Sequence, residues 1–404
     1  KKYKTEFDKN IIAVLFVCFS VFGFSQNKFQ NTAELDTLIT HAIKNNKGIK
    51  SGELQVERYK TNIKTAYSFD KTNLYYSYDQ NNLALNNLPL KVLGVQQKFQ
   101  FPTIYKAQKQ LYTAEYEREK SGLEVSKNKL SLQVAQVYNT IVYLQNQEKM
   151  LRYLDSLYQN FAKASKRKFE LGESNYLEKI TAESKFKQVK TKLIQIEKEK
   201  KSNYDILESL IQENKNIKIE KDKLEINSNS ITLNKDIYNT YFQNISDYYN
   251  KNNHLQKQYY YPDINLEYFQ GKNNGLSQAL YGFQVGVSVP ILFGSIKHKN
   301  KVAQLEQQSW EMEKENQIQK IEQFGKQKNA ELEKYQEGIN YYNESGKKLA
   351  KEIIKVADMS YKHGEIDFFQ YIISLENATT IETDYLENVY QYNKIQNEIK
   401  YLNY

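Results

Sequence analysis

Cysteine is all but missing from this chain: Cys18 is the only one in 404 residues, and proline is held to 4, histidine to 4 and tryptophan to 1. A single thiol excludes both a disulfide framework and a cysteine-based metal site. The histidines His41, His254, His298 and His363 are far apart, and no HExxH, Walker A or GxSxG pattern is present. The common metal-hydrolase, phosphate-loop and serine-nucleophile chemistries therefore lack their parts, so a non-enzyme with no cofactor and no resident metal is expected. With only 15 glycines beside the four prolines, turns are few, which disfavours a compact α/β enzyme and predicts long helices. No block of like charge occurs either. The net charge of +9 is spread among lysines interleaved with glutamates, a solvated surface rather than a nucleic-acid patch.

One apolar run is conspicuous, Ile11–Phe24, with Lys1, Lys2, Lys4 and Lys9 before it and Gly23 and Ser25 near its end. This is the order of a secretory leader over 1–25, with cleavage expected after Ser25. The run is shorter than the ~20 residues of an ordinary spanning helix, so a retained anchor is the weaker alternative. Cys18 follows Val17 inside the run, not the small residue that lipidation requires, and reads as one more apolar side chain.

The rest of the chain echoes itself. Asn73-Leu74-Tyr75-Tyr76 returns as Asn265-Leu266-Glu267-Tyr268, and Leu171-Gly172-Glu173 as His363-Gly364-Glu365, both 192 residues on; Pro102 and Pro290 correspond at 188. An internal repeat of two halves, 26–211 and 236–404, is expected, joined by a polar connector over 212–235. Each half should run helix, strand pair, very long helix, tight glycine loop, helix.

The strands are expected at about 73–80 and 91–101, then 263–270 and 280–289. From Tyr281 to Val289 the odd positions are Tyr, Phe, Val, Val and Val, while Gly282, Gln284, Gly286 and Ser288 fill the even ones. Leu93, Val95, Phe99 and Phe101 alternate likewise with Gly94, Gln96, Lys98 and Gln100, and Gln97 is the one polar residue on the apolar side. Such period-two segments fit a membrane strand of about 9–11 residues or a soluble sheet packed on helices. Their aromatic content behind a secretory leader favours the membrane. Four strands cannot close a barrel, and open edges are not tolerated in hydrocarbon, so several copies would have to share one.

Pro102 and Pro290 are each expected to open a helix, where a missing N–H costs nothing. No proline follows Thr103 until Pro262, so a helix of about 65 residues, about 100 Å long, is predicted. Leu130, Val134, Val137, Ile141, Leu144 and Leu151, spaced 4, 3, 4, 3 and 7, form its seam; Ala378, Ile381, Tyr385, Tyr392, Ile395, Ile399 and Leu402 repeat the theme. This is coiled-coil spacing.

Three further stretches carry a resemblance. Val289-Pro290-Ile291-Leu292-Phe293-Gly294-Ser295 is similar to a strand-to-helix turn usually written V-P-L-F-x-G-G. Arg167–Ser174 resembles an R-[YF]-x-x-G-x-x-S tip loop, and Leu35–Asn46 an opening helix in which A-x-x-x-N-N-P is usual, here with Lys47 and Gly48 in the proline region. All three belong to the TolC-like outer-membrane factor family, and the order of parts resembles that family over nearly the whole mature chain. The resemblance implies a mainly α protein with a membrane β-barrel portion. It would be a homotrimer whose twelve strands, four per chain, close one barrel in outer-membrane lipid and continue into a long periplasmic α-helical barrel.

It further implies a passive duct served by a periplasmic adaptor (membrane fusion protein) and an inner-membrane pump of the resistance-nodulation-division (RND) class. The tip loops, Gly172, Glu173, Ser174 and Asn175 and then His363, Gly364, Glu365, Ile366 and Asp367, would be the adaptor-docking end. Phe101-Pro102-Thr103, Gly172–Glu178 and Gly364–Phe368 are closest to the versions that accompany heavy-metal pumps in Bacteroidetes-type bacteria. A drug-efflux or type I secretion duct shares the fold, and a periplasmic coiled-coil scaffold with a small soluble sheet is the alternative from another class. His363 with Glu365 and Asp367, repeated around an axis, could hold a cation, although a lone loop histidine is usually just solvated. The acidic side chains more readily act as an electrostatic ring at a narrow opening.

Overall fold

The computed structural model describes residues 34–80, 86–213, 217–219, 221, 223–226 and 235–401. The expected leader and Leu402 lie outside them. Two short helices, α1 (Leu35–Asn45) and α2 (Lys47–Asn62), lead through a 3₁₀ turn at Ile63–Tyr67 into strands β1 (Asn73–Asp79) and β2 (Leu90–Phe99). There follow α3 (Pro102–Glu170), α4 (Tyr176–Ile211), α5 (Asp236–Gln258), β3 (Asp263–Lys272), β4 (Leu280–Ser288), α6 (Gly294–Tyr341), a π turn at Tyr342–Gly346, α7 (Lys347–Lys362) and α8 (Phe368–Lys400).

Helix α3 runs unbroken for 69 residues, with Pro102 in its first turn as expected. Its seam is buried at Leu130, Val134, Ile141, Leu144 and Leu151. Near the middle of the molecule Val134, Ile141 and Val142 pack with Leu207 and Ile211 of α4, Ile339 of α6 and Val389 of α8. Farther along, Leu151, Leu154 and Tyr158 meet Ala182 and Val189 of α4 and Phe368, Tyr371 and Leu375 of α8. Between α3 and the sheet, Ile104, Ala107 and Leu111 close on Leu255 of α5. A string of small cores along two antiparallel hairpins replaces a single globular core, as side-by-side coiled helices require.

Two expectations are corrected. Pro290 does not open a helix: 289–293 are non-helical and α6 starts at Gly294. Ile104 and Tyr105, just after Pro102, are buried and nucleate α3, whereas Ile291 and Leu292 are more than four-fifths exposed and give a helix nothing to pack on. The second long helix is also not continuous. Tyr342 stacks on Tyr385 at 3.8 Å between centroids and donates to Glu382 at 2.6 Å, and the α-ladder slips to a π turn there. The connector is less bland than its composition: Ile219 and Leu224 are buried, Gln145 donates to the Ile219 carbonyl at 2.9 Å, and Asn393 to that of Glu225 at 2.8 Å.

The four strands form one antiparallel sheet in the order β1-β2-β3-β4. Directly opposed residues run straight across it, Leu74 to Val95, Val95 to Tyr268 and Tyr268 to Phe283. Gln97, polar on the apolar face, is occupied by accepting from Thr72 Oγ1 at 2.6 Å and donating to the Asp70 carbonyl at 2.7 Å, which fixes the chain entering β1.

Candidate functional site

Among the described residues no group of three or more His, Cys, Asp or Glu could hold a metal ion. The surfaces with distinctive chemistry lie at opposite ends of the helices: the sheet and the two tip loops.

On one sheet face Leu74, Tyr76, Leu93, Tyr281, Phe283, Val285 and Val287 are all at least half exposed, Phe283 by 80%. Among the described residues the strands pack substantially only on one another, with no helix laid across this face. A soluble sheet of four strands would bury such a face; a contiguous bare patch of aromatic and β-branched side chains marks a lipid or partner surface. The opposite face is polar and small. Tyr75 hydrogen-bonds Glu267, Asn265 donates to Ser288 Oγ at 2.7 Å, and Lys98 pairs with Asp263 at 3.0 Å. The Tyr75 ring lies over Gly94 and the Phe269 ring over Gly282, where a Cβ would come within 2.3 and 2.5 Å of the rings. Among the described residues both edges, β1 and β4, have one neighbour only. No described helix is long and apolar enough to cross a membrane.

The tip loops are two copies of one device. Helix α3 ends at Glu170 with Leu171 as its C-cap, Gly172 takes φ +76°, and the N–H groups of Gly172 and Glu173 return to the carbonyls of Phe169 and Lys168 at 3.0 and 2.8 Å. Helix α7 ends at Lys362 with His363 as its C-cap, Gly364 takes φ +74°, and Gly364 and Glu365 return to Tyr361 and Ser360 at 3.2 and 2.9 Å. This is the Schellman closure that favours glycine. The next helix is capped in each case: Asn175 Oδ1 accepts from Glu178 N at 2.8 Å, and Asp367 forms a reciprocal capping box with Gln370. Asp367 is thus committed to the turn, and Glu365 accepts from Ser360 at 2.7 Å. Neither is held towards His363 as a ligand pair, and Ser174 Oγ is buried without a partner.

Behind the loops lies an aromatic cluster. Phe161 packs on Tyr371 at 4.9 Å, Tyr361 stacks on Tyr371 at 4.9 Å, and Lys179 sits 5.0 Å above Phe169. Burial pushes the Tyr371 hydroxyl up to about 12, with nearby Asp358 adding to it, so that hydroxyl stays protonated at ordinary pH. Leu171, Tyr176 and Leu177 remain more than half exposed at the extremity. Sequence reasoning found the glycines and the acidic residues of the loops, though not the capping roles of Asn175 and Asp367, nor these aromatics, whose grouping needs both hairpins side by side.

Because nothing lies within 4 Å of a Cβ built on Gly364, a Gly364→Ala change should cost only backbone strain, about 1–2 kcal/mol. Gly294→Ala, equally uncrowded but at ordinary helical φ, should be neutral or slightly stabilising. Denaturant midpoints of the two variants, read by circular dichroism, should move in opposite directions or leave only Gly364→Ala shifted.

No family model matches the chain, and no curated protein matches it. Solved structures do. CusC, described with transmembrane channel formation, superposes with a TM-score of 0.76 over 92% of each chain at 16% identity. A membrane protein from Pseudomonas aeruginosa gives 0.77 over 92% of this chain and 94% of its own at 13% identity. The Campylobacter jejuni CmeC outer membrane channel gives 0.73 over 91% and 85% at 15% identity. At such identities the likeness shows the fold, and it extends from sheet to tip.

Proposed function

We propose that this chain is one third of a trimeric outer-membrane conduit, a TolC-like exit duct of a tripartite efflux system that passes cargo through a tunnel without chemistry of its own. The observation that carries this reading is the sheet: an apolar face that no described residue covers, a polar, glycine-lined reverse face, and two edges left open among the described residues. Lipid accepts the first, a water-filled lumen the second, and only a closed barrel removes the edges. Three chains would contribute twelve strands. Helix α3, about 100 Å long, would carry the duct away from the membrane into the periplasm. The two glycine tips, Gly172–Asn175 and His363–Asp367, then face an adaptor, and an inner-membrane pump of the RND class supplies the energy. Heavy-metal cations as cargo rest on the sequence resemblance of Phe101–Thr103 and the two tip loops alone.

Membrane fractionation tests the reading against a periplasmic scaffold. The mature protein should resist salt and alkali, leave the outer membrane only with detergent, and migrate as a heat-modifiable oligomer. Release by salt as a water-soluble monomer would sink it.

A further inference from the structure

Resting on the conduit reading, the sheet geometry assigns one register to the seam between copies. We infer that β1 of the next copy adds antiparallel to β4 with Asn73 opposite Ser288, Leu74 opposite Val287, Tyr76 opposite Val285 and Asp79 opposite Gly282.

Leu74, Val95, Tyr268 and Phe283 form one line of directly opposed residues across the sheet. If Leu74 of the next copy met Phe283, the line would close on itself and the strands would stand parallel to the barrel axis. Barrels instead tilt their strands by about 35–45°, which demands a stagger. Twelve strands about 4.8 Å apart make a sheet about 58 Å wide, and a tilt of 35–45° over that width needs an offset of about 40–58 Å, or about 12–17 residues at 3.3 Å each. Three identical seams divide this into about four to six residues per copy. The stagger must be even, because an odd one would put the apolar residues of β1 beside the polar residues of β4.

Strand length then settles direction and size. A four-residue stagger towards Ala279 would set β1 against the β3–β4 turn. Towards Val287, the same stagger places all seven residues of β1 within β4, which ends at Ser288. A six-residue stagger sets Asn73 opposite Pro290, which has no N–H to give the ladder. A two-residue stagger keeps the pairs but tilts the strands by only about 19°, outside the barrel range.

The repeated tetrapeptide gives the same answer independently. Within the chain, Asn73 opposes Gln96 and Asn265 opposes Gly286, which aligns the two hairpins. In that alignment Lys98, opposite Asn265, corresponds to Ser288, which must then oppose Asn73 of the next copy. Matching the hairpins by their aromatic-on-glycine stacks instead gives no stagger at all, which a closed barrel cannot have. The assigned seam also opposes Tyr76 to Val285 and Tyr78 to Phe283 on the lipid side, aromatic pairings that stabilise antiparallel ladders.

Cysteine pairs in the full-length protein test this. Opposed residues lie about 4.5–5.5 Å apart between Cα atoms, within disulfide range, whereas a slip of two residues moves them beyond the ~7 Å limit. Ser77→Cys with Gln284→Cys, and on the lipid face Tyr78→Cys with Phe283→Cys, should oxidise in the membrane to a reducible covalent trimer in most of the protein. Ser77→Cys with Gly282→Cys or with Gly286→Cys should give little. If either slipped pair links better than Ser77→Cys with Gln284→Cys, the register is wrong and the trimer stands. If no pair links while each variant keeps its helical circular dichroism, the proposal falls together with the assembly it rests on.

Discussion

Val285→Arg should remove most of the protein from the outer-membrane fraction, whereas Gln284→Arg, one residue earlier on the same strand, should leave it there. Val285 is 62% exposed, on the apolar face, opposite Leu266. Gln284 points the other way, opposite Glu267. An arginine facing lipid near the bilayer midplane costs about 2–4 kcal/mol, falling towards the interfaces. A symmetric trimer incurs this three times, about 6–12 kcal/mol, as much as the whole stability of a typical domain. Gln284→Arg would instead face the lumen of the proposed barrel beside the Glu267 carboxylate, where an exposed pair is worth about 0–1 kcal/mol. Quantitative blotting of detergent-extracted outer membranes, with and without heating, reads both effects. Equal loss in the two variants would mean that the face seen bare here does not meet lipid.

The same alternation explains why this end of the molecule was legible from sequence. Strand position follows from period two, so the expected segments at 73–80, 91–101, 263–270 and 280–289 differ from the observed strands by no more than two residues at any end. The tip turns were legible for a comparable reason: Gly172 and Gly364 are scarce glycines in long helical stretches and take the positive φ that ends a helix, a local signal needing no tertiary partner. What escaped depends on contacts between distant segments. The π turn is set by Tyr342 meeting Tyr385 and Glu382 on α8, about forty residues on. Pro290 and Pro102 look alike in sequence and part ways only because the residues after Pro102 find α5 to pack on while those after Pro290 stay bare. Ile219 and Leu224 are too sparse in a polar connector to announce that they close the central core.

Helices α6 and α7 carry a further apolar stripe that no described residue covers, and it sets a second test with an opposite signature. Val302, Leu305 and Met312 on α6, and Leu349, Val356 and Met359 on α7, are spaced by threes and sevens and are 44–64% exposed. That is coiled-coil spacing on the outward side of helices whose inner side already packs on α5 and α8. Because each side chain is already about half buried, covering it with a neighbouring copy is worth about half the ~1.5–3 kcal/mol of complete burial, and the six together would be a substantial part of the association energy of the proposed helical barrel. Leu305→Glu together with Met312→Glu should therefore dissociate the detergent-solubilised trimer, seen as a threefold fall in protein mass by light scattering, while the helical content of the chain is retained. Ile141→Ala, in the central core, should do the reverse. It opens a cavity costing about 2–5 kcal/mol, which lowers the unfolding midpoint of every chain and leaves the interface untouched. If the double glutamate variant kept its full mass, the apolar stripe would not be where one copy meets the next, and the helical barrel would have to close through another face.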